Sequence, residues 1–242
     1  MYIIALSLLY PLRESLSLDI QVDLSLFILA FFIYGLSFLC GAKAWQGLLQ
    51  TPRLKTLLKL EWLSLLLGFI SPAGILNESI KFIYKKDISE TLTTKELGKS
   101  LIYDRLAYLF AVILIAMSAY FPWTMSLSLV LIFFMKHHWR SCLFWNLATV
   151  TLQLTSLWLV SHGPALSIYL KKAPFALLVS ALPITPDGLG TGHQAMAWLF
   201  SKPEAAQWYQ HYFMIGLLFS LMGLYFARQV LFKKTNPQVS TN

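Results

Sequence analysis

Two places in this chain set proline and glycine beside polar residues inside sequence that is otherwise apolar. The first is Ser71-Pro72-Ala73-Gly74-Ile75-Leu76-Asn77-Glu78. The second runs from Pro183 through Pro186, Asp187, Gly188, Gly190 and Gly192 to His193. Irregular backbone in hydrocarbon has no water to bond its N–H and C=O groups. Such breaks therefore persist only where protein or a water-filled cavity surrounds them. A half-helix is expected to begin after each break, over 75–84 and over 193–200. Free N–H groups at a helix start, with the helix dipole behind them, attract anions. Two such starts facing each other would hold a phosphate headgroup; the alternative is that the glycines only let helices approach closely. A matched pair of broken hydrophobic segments, one in each half of a chain, points to a membrane transport site.

Ionisable side chains near these breaks are the next candidates, because a charge in a membrane is costly and needs a named partner. Glu78 and Lys81 stand three apart on the first half-helix and can pair along one face. Asp104 and Arg105 open a later apolar run and cannot face one another. A crossed arrangement, Glu78 with Arg105 and Lys81 with Asp104, would tie the first break to that run, either as a structural lock or as part of a substrate site. Asp187 and His193 flank the second glycine run. His193 either titrates near neutrality and contacts phosphate, or bonds backbone at a helix start. Lys171 and Lys172 are expected to snorkel to the interface. His137-His138 show too few companions for a metal site, and no metal or other cofactor is expected. No nucleophile elbow, zinc-protease motif or phosphate loop occurs, and the Gly188-x-Gly190-x-Gly192 spacing does not fit a dinucleotide fingerprint. Whether the chain is an enzyme stays open at this point, since membrane transferases often lack short signatures.

The elements that must position these groups follow from composition. Of 242 residues 57% are hydrophobic and 12% charged, about half the ~25% charged share of soluble domains, and mean hydropathy is +0.62. The chain therefore reads as one all-α, polytopic membrane domain over 1–242, with pseudo-halves at about 24–121 and 122–232 and a polar tail at 235–242. The net charge of +8 sits in basic residues flanking apolar spans, so it is assigned to topology and anionic headgroups and not to nucleic acid. Spanning helices, which need roughly 20 apolar residues, are expected at Leu24–Trp45, Leu101–Phe121, Cys142–Ser161 and His211–Phe232. Thr124–Met135 is shorter, and Met1–Leu12 is too short to span comfortably. The latter lacks a basic start and a small-residue cleavage site, so no cleavable signal is expected.

Charge then orients the spans. Lys43, Arg53, Lys55 and Lys59 follow the first span, and Lys81, Lys85, Lys86, Lys95 and Lys99 follow the first break. Placing both groups on the cytoplasmic side makes Glu61–Tyr84 a hairpin that enters and returns on that side. Glu61 is then expected at the cytoplasmic edge. Continuing along the chain, Ser167–Phe200 dips in from the outside and the last span returns to the cytoplasm at Arg228, Lys233 and Lys234. Two re-entrant hairpins entering from opposite faces are what an inverted repeat predicts.

At the two breaks the sequence resembles the transmembrane region of lysylphosphatidylglycerol synthases, the flippase domain. The family's first motif, Pro-Gly-x-x-Gly-Glu-x-x-Arg, is similar to the stretch holding Pro72, Gly74, Asn77, Glu78 and Lys81, with glycine shifted by one and Asn77 in place of another. An acid–arginine pair at the following span resembles Asp104-Arg105. Its second motif, Pro-x-x-Pro-Gly-Gly-Leu-Gly-x-x-Glu, is similar to Pro183 through His193, where Asp187 replaces glycine and His193 replaces glutamate. The resemblance implies translocation of a phospholipid or other polar lipid between leaflets, in a bacterial inner membrane. Aminoacylation is not implied, because no aminoacyl-transfer domain accompanies these motifs. The partner it implies is a membrane lipid with an anionic headgroup or a polyprenyl phosphate; a second copy or a partner membrane enzyme is left open. A membrane-embedded polyprenyl-phosphate-sugar transferase, or its accessory subunit, is the alternative, with Glu78, Asp104 and Asp187 as its available carboxylates.

Overall fold

The computed structural model describes residues 23–49, 53–70, 75–161, 164–180, 191–202 and 204–235. Among these residues the structure is helical with no strand. Its order is α1 (Leu24–Leu49), α2 (Leu54–Ile70), α3 (Ile75–Ile83), α4 (Lys85–Ile88), α5 (Thr94–Tyr120), α6 (Trp123–Phe134), α7 (His137–Leu159), α8 (Leu166–Ser180), α9 (Thr191–Phe200) and α10 (Glu204–Thr235). Three of them, α1, α5 and α7, are long and apolar enough to cross a membrane. They carry three of the four expected spans, and His211–Phe232 lies within α10. The 12 residues of α6 extend about 18 Å at ~1.5 Å per residue, short of a ~30 Å hydrocarbon core. Thr235, expected in a polar tail, closes α10. The remainder of that tail and Met1–Leu12 lie outside the described residues.

The helix ends have local causes. The span expected from Leu101 starts instead at Thr94, because Thr93 forms a capping box with Glu96. The Thr93 hydroxyl accepts the Glu96 N–H at 3.2 Å, and the Glu96 carboxylate accepts the Thr93 N–H at 2.9 Å. Helix α5 stops just before Phe121-Pro122, where proline disfavours helical backbone in the preceding residue. Pro174 sits inside α8. Its missing N–H leaves the carbonyl one turn earlier without its helical donor, a loss that membrane helices tolerate when packed within protein.

A seam between α1 and α7 forms the axis of the fold. Ala30, Ser37 and Ala44 recur every seventh residue on α1, and Cys142, Thr149 and Ser156 do so on α7; all six are buried. Ser156 Oγ donates to the Ala30 carbonyl at 2.9 Å, and Thr149 Oγ1 donates to the Ser37 carbonyl at 3.3 Å. Ala44 shares a small buried cluster with Cys142. Numbers climb on one helix as they fall on the other, so the two run antiparallel. Lipid is as apolar as leucine, so helices in it are held by close packing and inter-helix hydrogen bonds, which small and hydroxyl residues supply.

Both broken segments fold back on themselves. Lys81 Nζ of α3 lies 2.8 Å from Glu61 Oε1 of α2, whereas an unbroken helix would part these residues by roughly 30 Å. In the second segment the rings of Tyr169 at the start of α8 and Phe200 at the end of α9 stand 6.3 Å apart. The ammonium of Lys172 lies 5.5 Å from the Phe200 ring centre. Helix α2 of the first hairpin packs against α10, the helix that closes the second half. Helix α8 of the second hairpin packs against α5, which follows the first hairpin. Each hairpin thus packs against a long helix that follows the other hairpin in the chain.

Candidate functional site

Where α1, α2, α3, α5, α7, α8 and α10 meet, they line a partly open cavity of about 230 Å³. Four ionisable side chains reach it: Glu61 from α2, Lys81 from α3, and Asp104 and Arg105 from α5. Neutral polar groups complete the wall, among them Asn146 and Gln153 of α7, Ser180 of α8 and the tyrosines Tyr34, Tyr209 and Tyr212. At about 230 Å³ the cavity is smaller than the roughly 300–1,000 Å³ of pockets that take whole small ligands. It has room for a headgroup or several waters and not for acyl chains.

Lys81 is the most enclosed of the charges, its side chain 3% exposed. Its Nζ stands 2.8 Å from Glu61 and 3.3 Å from Glu78, and it lies 4.6 Å from the centre of the buried Trp45 ring. Trp45 is itself held by its indole N–H donating to Ser100 Oγ at 3.2 Å. The expected Glu78–Lys81 pair along one face of α3 is present. Glu78 also receives Arg105: Nε donates to its Oε1 at 3.1 Å, and Nη2 donates to the same oxygen. A single carboxylate therefore bridges a buried ammonium and a guanidinium whose side chain is 59% exposed.

Half of the crossed arrangement holds and half does not. Glu78 meets Arg105 as expected, but Lys81 does not pair with Asp104; its second carboxylate is Glu61. Glu61 is therefore part of the cavity wall. The hairpin brings α2 alongside α3 and carries Glu61 inward, which local spacing could not reveal. Asp104 instead accepts the Asn146 amide at 3.0 Å, with Cys142 Sγ 3.9 Å away.

His193 lies in the first turn of α9. It is 3% exposed in α9, and its ring packs edge-on to Tyr209 at 5.1 Å and tilted to Phe213 at 6.1 Å. Tyr209 lines the cavity, whereas His193 is not among its lining residues. Gly192 beside it is needed for close approach. A Cβ there would lie 2.2 Å from Cζ of the Tyr209 ring, so at this glycine the packing alternative applies. Gly192→Ala is expected to destabilise the protein by about 1–3 kcal/mol through overpacking. Shrinking the ring in Gly192→Ala/Tyr209→Ala should return part of that loss, as read by thermal unfolding in detergent; equal melting of wild type and Gly192→Ala would refute the contact. Asn77 falls in the first turn of α3. Pro72, Gly74, Pro186, Asp187, Gly188 and Gly190 lie outside the described residues. Lys171, expected to snorkel, lies 5.5 Å from the centre of the Tyr120 ring near the end of α5.

Several cavity residues escaped the sequence reading. Asn146, Thr149 and Gln153 follow one another at three and four residues on α7, a polar stripe along an otherwise apolar span, and all three line the cavity. That stripe was a usable signal. Tyr108 donates to Gln153 Oε1 at 2.8 Å, joining α5 to the same stripe. The tyrosines of α10 carry no comparable pattern. Comparison of the chain with protein-family models, curated proteins and solved structures finds no match.

Proposed function

We propose that the protein moves a polar lipid between the leaflets of a bacterial inner membrane, with its C-terminus on the cytoplasmic side. The headgroup passes through the cavity between the two hairpins while the acyl chains stay in the bilayer. The observation that carries this reading is a charged, headgroup-sized cavity walled by a hairpin from each half and surrounded by helices with apolar exteriors. Phe32, Leu36, Ile102, Phe133 and Leu224 are among the large side chains that face outward. An antiparallel α1–α7 axis, with each hairpin on a long helix that follows the other hairpin, is the arrangement an inverted repeat with two re-entrant hairpins would give. The same activity is what the resemblance of the two breaks to the flippase domain implies.

Arg105 is the cation assigned to an anionic headgroup. Lys81 is enclosed by two carboxylates and an indole, whereas Arg105 shares Glu78 with it and has a side chain that is 59% exposed. The substrate class is thus a lipid with phosphate or another anion next to its glycerol or prenyl chain. Reconstitution into vesicles with headgroup-labelled lipids tests the reading directly, and no acceleration of leaflet exchange across a broad lipid panel would sink it. Arg105→Gln should slow exchange about tenfold to a hundredfold, the equivalent of roughly 1.5–3 kcal/mol for a charged hydrogen bond. Stability should change little, since Glu78 keeps Lys81. Wild-type exchange by Arg105→Gln would remove the residue from the site.

The topology has its own test. Cysteines introduced at Thr56 and Lys85 should react with the same membrane-impermeant reagent from the cytoplasmic side. Labelling from opposite sides would mean that the first hairpin crosses and is not re-entrant.

A further inference from the structure

We propose that Asp104 is a proton-binding site within the cavity and that headgroup movement is coupled to its loading and unloading; the coupling rests on the lipid-translocation reading. Glu61 and Glu78 are matched by Lys81 and Arg105, each cation within salt-bridge distance of at least one carboxylate. Asp104 is a fifth charge with no ion pair among the described residues. Its hydrogen-bond partners are neutral, the Asn146 amide at 3.0 Å and the Cys142 thiol at 3.9 Å, and both meet Oδ1. That leaves Oδ2 for a proton.

Among the described residues no cation comes within salt-bridge distance of Asp104. From α7 come the amide and the thiol, from α2 Glu61, and from α3 Lys81 with Glu78 beside it. Its own helix brings Arg105, already engaged by Glu78. The side chains that α1, α8 and α10 bring to the cavity are all uncharged. A lone carboxylate walled by membrane helices is costly to keep ionised, and neutralising it by protonation relieves that cost. The step is a plain proton transfer: hydronium from the cavity water gives its proton to Oδ2, leaving carboxylic acid and water, and the reverse step restores the carboxylate.

Adjacency to Arg105 supplies the coupling. With Asp104 neutral, an anion arriving at Arg105 meets one negative charge fewer, since Glu78 is already matched by Lys81 and Arg105. With Asp104 ionised, like-charge repulsion drives the anion out. Proton and anionic headgroup are then taken up together and released together.

Infrared difference spectroscopy of the reconstituted wild-type protein, titrated from acid to alkaline pH, should show a carboxylic-acid C=O band persisting at neutral pH. The band should vanish in Asp104→Asn and shift in frequency in Asp104→Glu, which assigns it even where the asparagine variant folds poorly. In vesicles carrying an imposed pH gradient, labelled anionic lipid should redistribute by up to about tenfold per pH unit, the ceiling for one proton per headgroup. Asp104→Asn should leave the leaflet ratio indifferent to the gradient. Absence of any such band at neutral pH in the wild type overturns the proton site. Lipid exchange by the wild type with a leaflet ratio that ignores the gradient overturns the coupling. A band that behaves as expected in protein that exchanges no lipid leaves the proton site standing and brings down the translocation reading instead.

Discussion

Lys81→Met is expected to cost about 3–5 kcal/mol of stability, the usual result of removing one partner from a buried ion pair. The lysine is almost wholly enclosed and is the only charged partner of Glu61 within salt-bridge distance among the described residues. Glu78 loses one of two cations and retains Arg105. Glu61 therefore bears most of the loss, being left in the cavity wall without its ammonium. The double variant Lys81→Met/Glu61→Gln removes the stranded charge and should recover a large part of the deficit. Lys81→Met/Glu78→Gln should recover little, because Glu61 stays uncompensated there. Thermal unfolding of the four proteins in one detergent decides the matter. Greater rescue by Glu78→Gln than by Glu61→Gln would show that the pairing drawn here is wrong.

The second large effect lies at the contact between the halves. A Cβ on Gly223 of α10 would stand 2.7 Å from the backbone carbonyl oxygen of Trp62 on α2. A side chain can rotate away from an intruding methyl group, as Tyr209 can at Gly192, but a helical carbonyl cannot. The helices themselves must separate. Gly223→Ala is expected to cost about 1–3 kcal/mol, and Gly223→Leu more, because overpacking forces backbone shifts. Trp62→Ala should not relieve it, since the obstructing atom belongs to the main chain. Separation of α2 from α10 also displaces Glu61, so lipid exchange should fall along with stability. Gly223→Leu with an unchanged melting temperature would refute the close approach.

How much of this was legible beforehand varies by element. Each of Leu24–Leu49, Thr94–Tyr120 and His137–Leu159 announces itself, because twenty apolar residues are sufficient to suggest a span whatever surrounds them. The Thr93–Glu96 capping box was equally open to reading and moves the start of α5 seven residues ahead of Leu101. The seven-residue recurrence of Ala30, Ser37 and Ala44 was visible too, as was its counterpart on α7. Recurrence marks a helix face but does not say which partner covers it. The proline- and glycine-rich stretches themselves lie outside the described residues, while the described helices end at Ile70 and Ser180 and resume at Ile75 and Thr191.

Pairing across the fold is another matter. Glu78–Lys81 follows from helical geometry and was foreseen, because residues three apart share a face in any helix. Glu61–Lys81 depends on the angle at which a hairpin closes, and Asp104–Asn146 on the rotation of α5 against α7. Neither quantity is encoded in any short window. His193 shows the limit most plainly. Its type and its place after a glycine run suit a binding role, yet the packing of α9 on α10 buries it against Tyr209, and it is not among the residues that line the cavity.

From its residues alone this protein was bound to be helical, to suit a membrane, and to break twice at predictable points, since hydropathy, helix period and proline geometry all act within a few residues. Which carboxylate holds Lys81, which one stands without a cation, and which candidate faces the cavity were decided only when the helices packed. Those outcomes turn on contacts between segments distant in the chain, where a rotation of one helix by a single residue exchanges every partner.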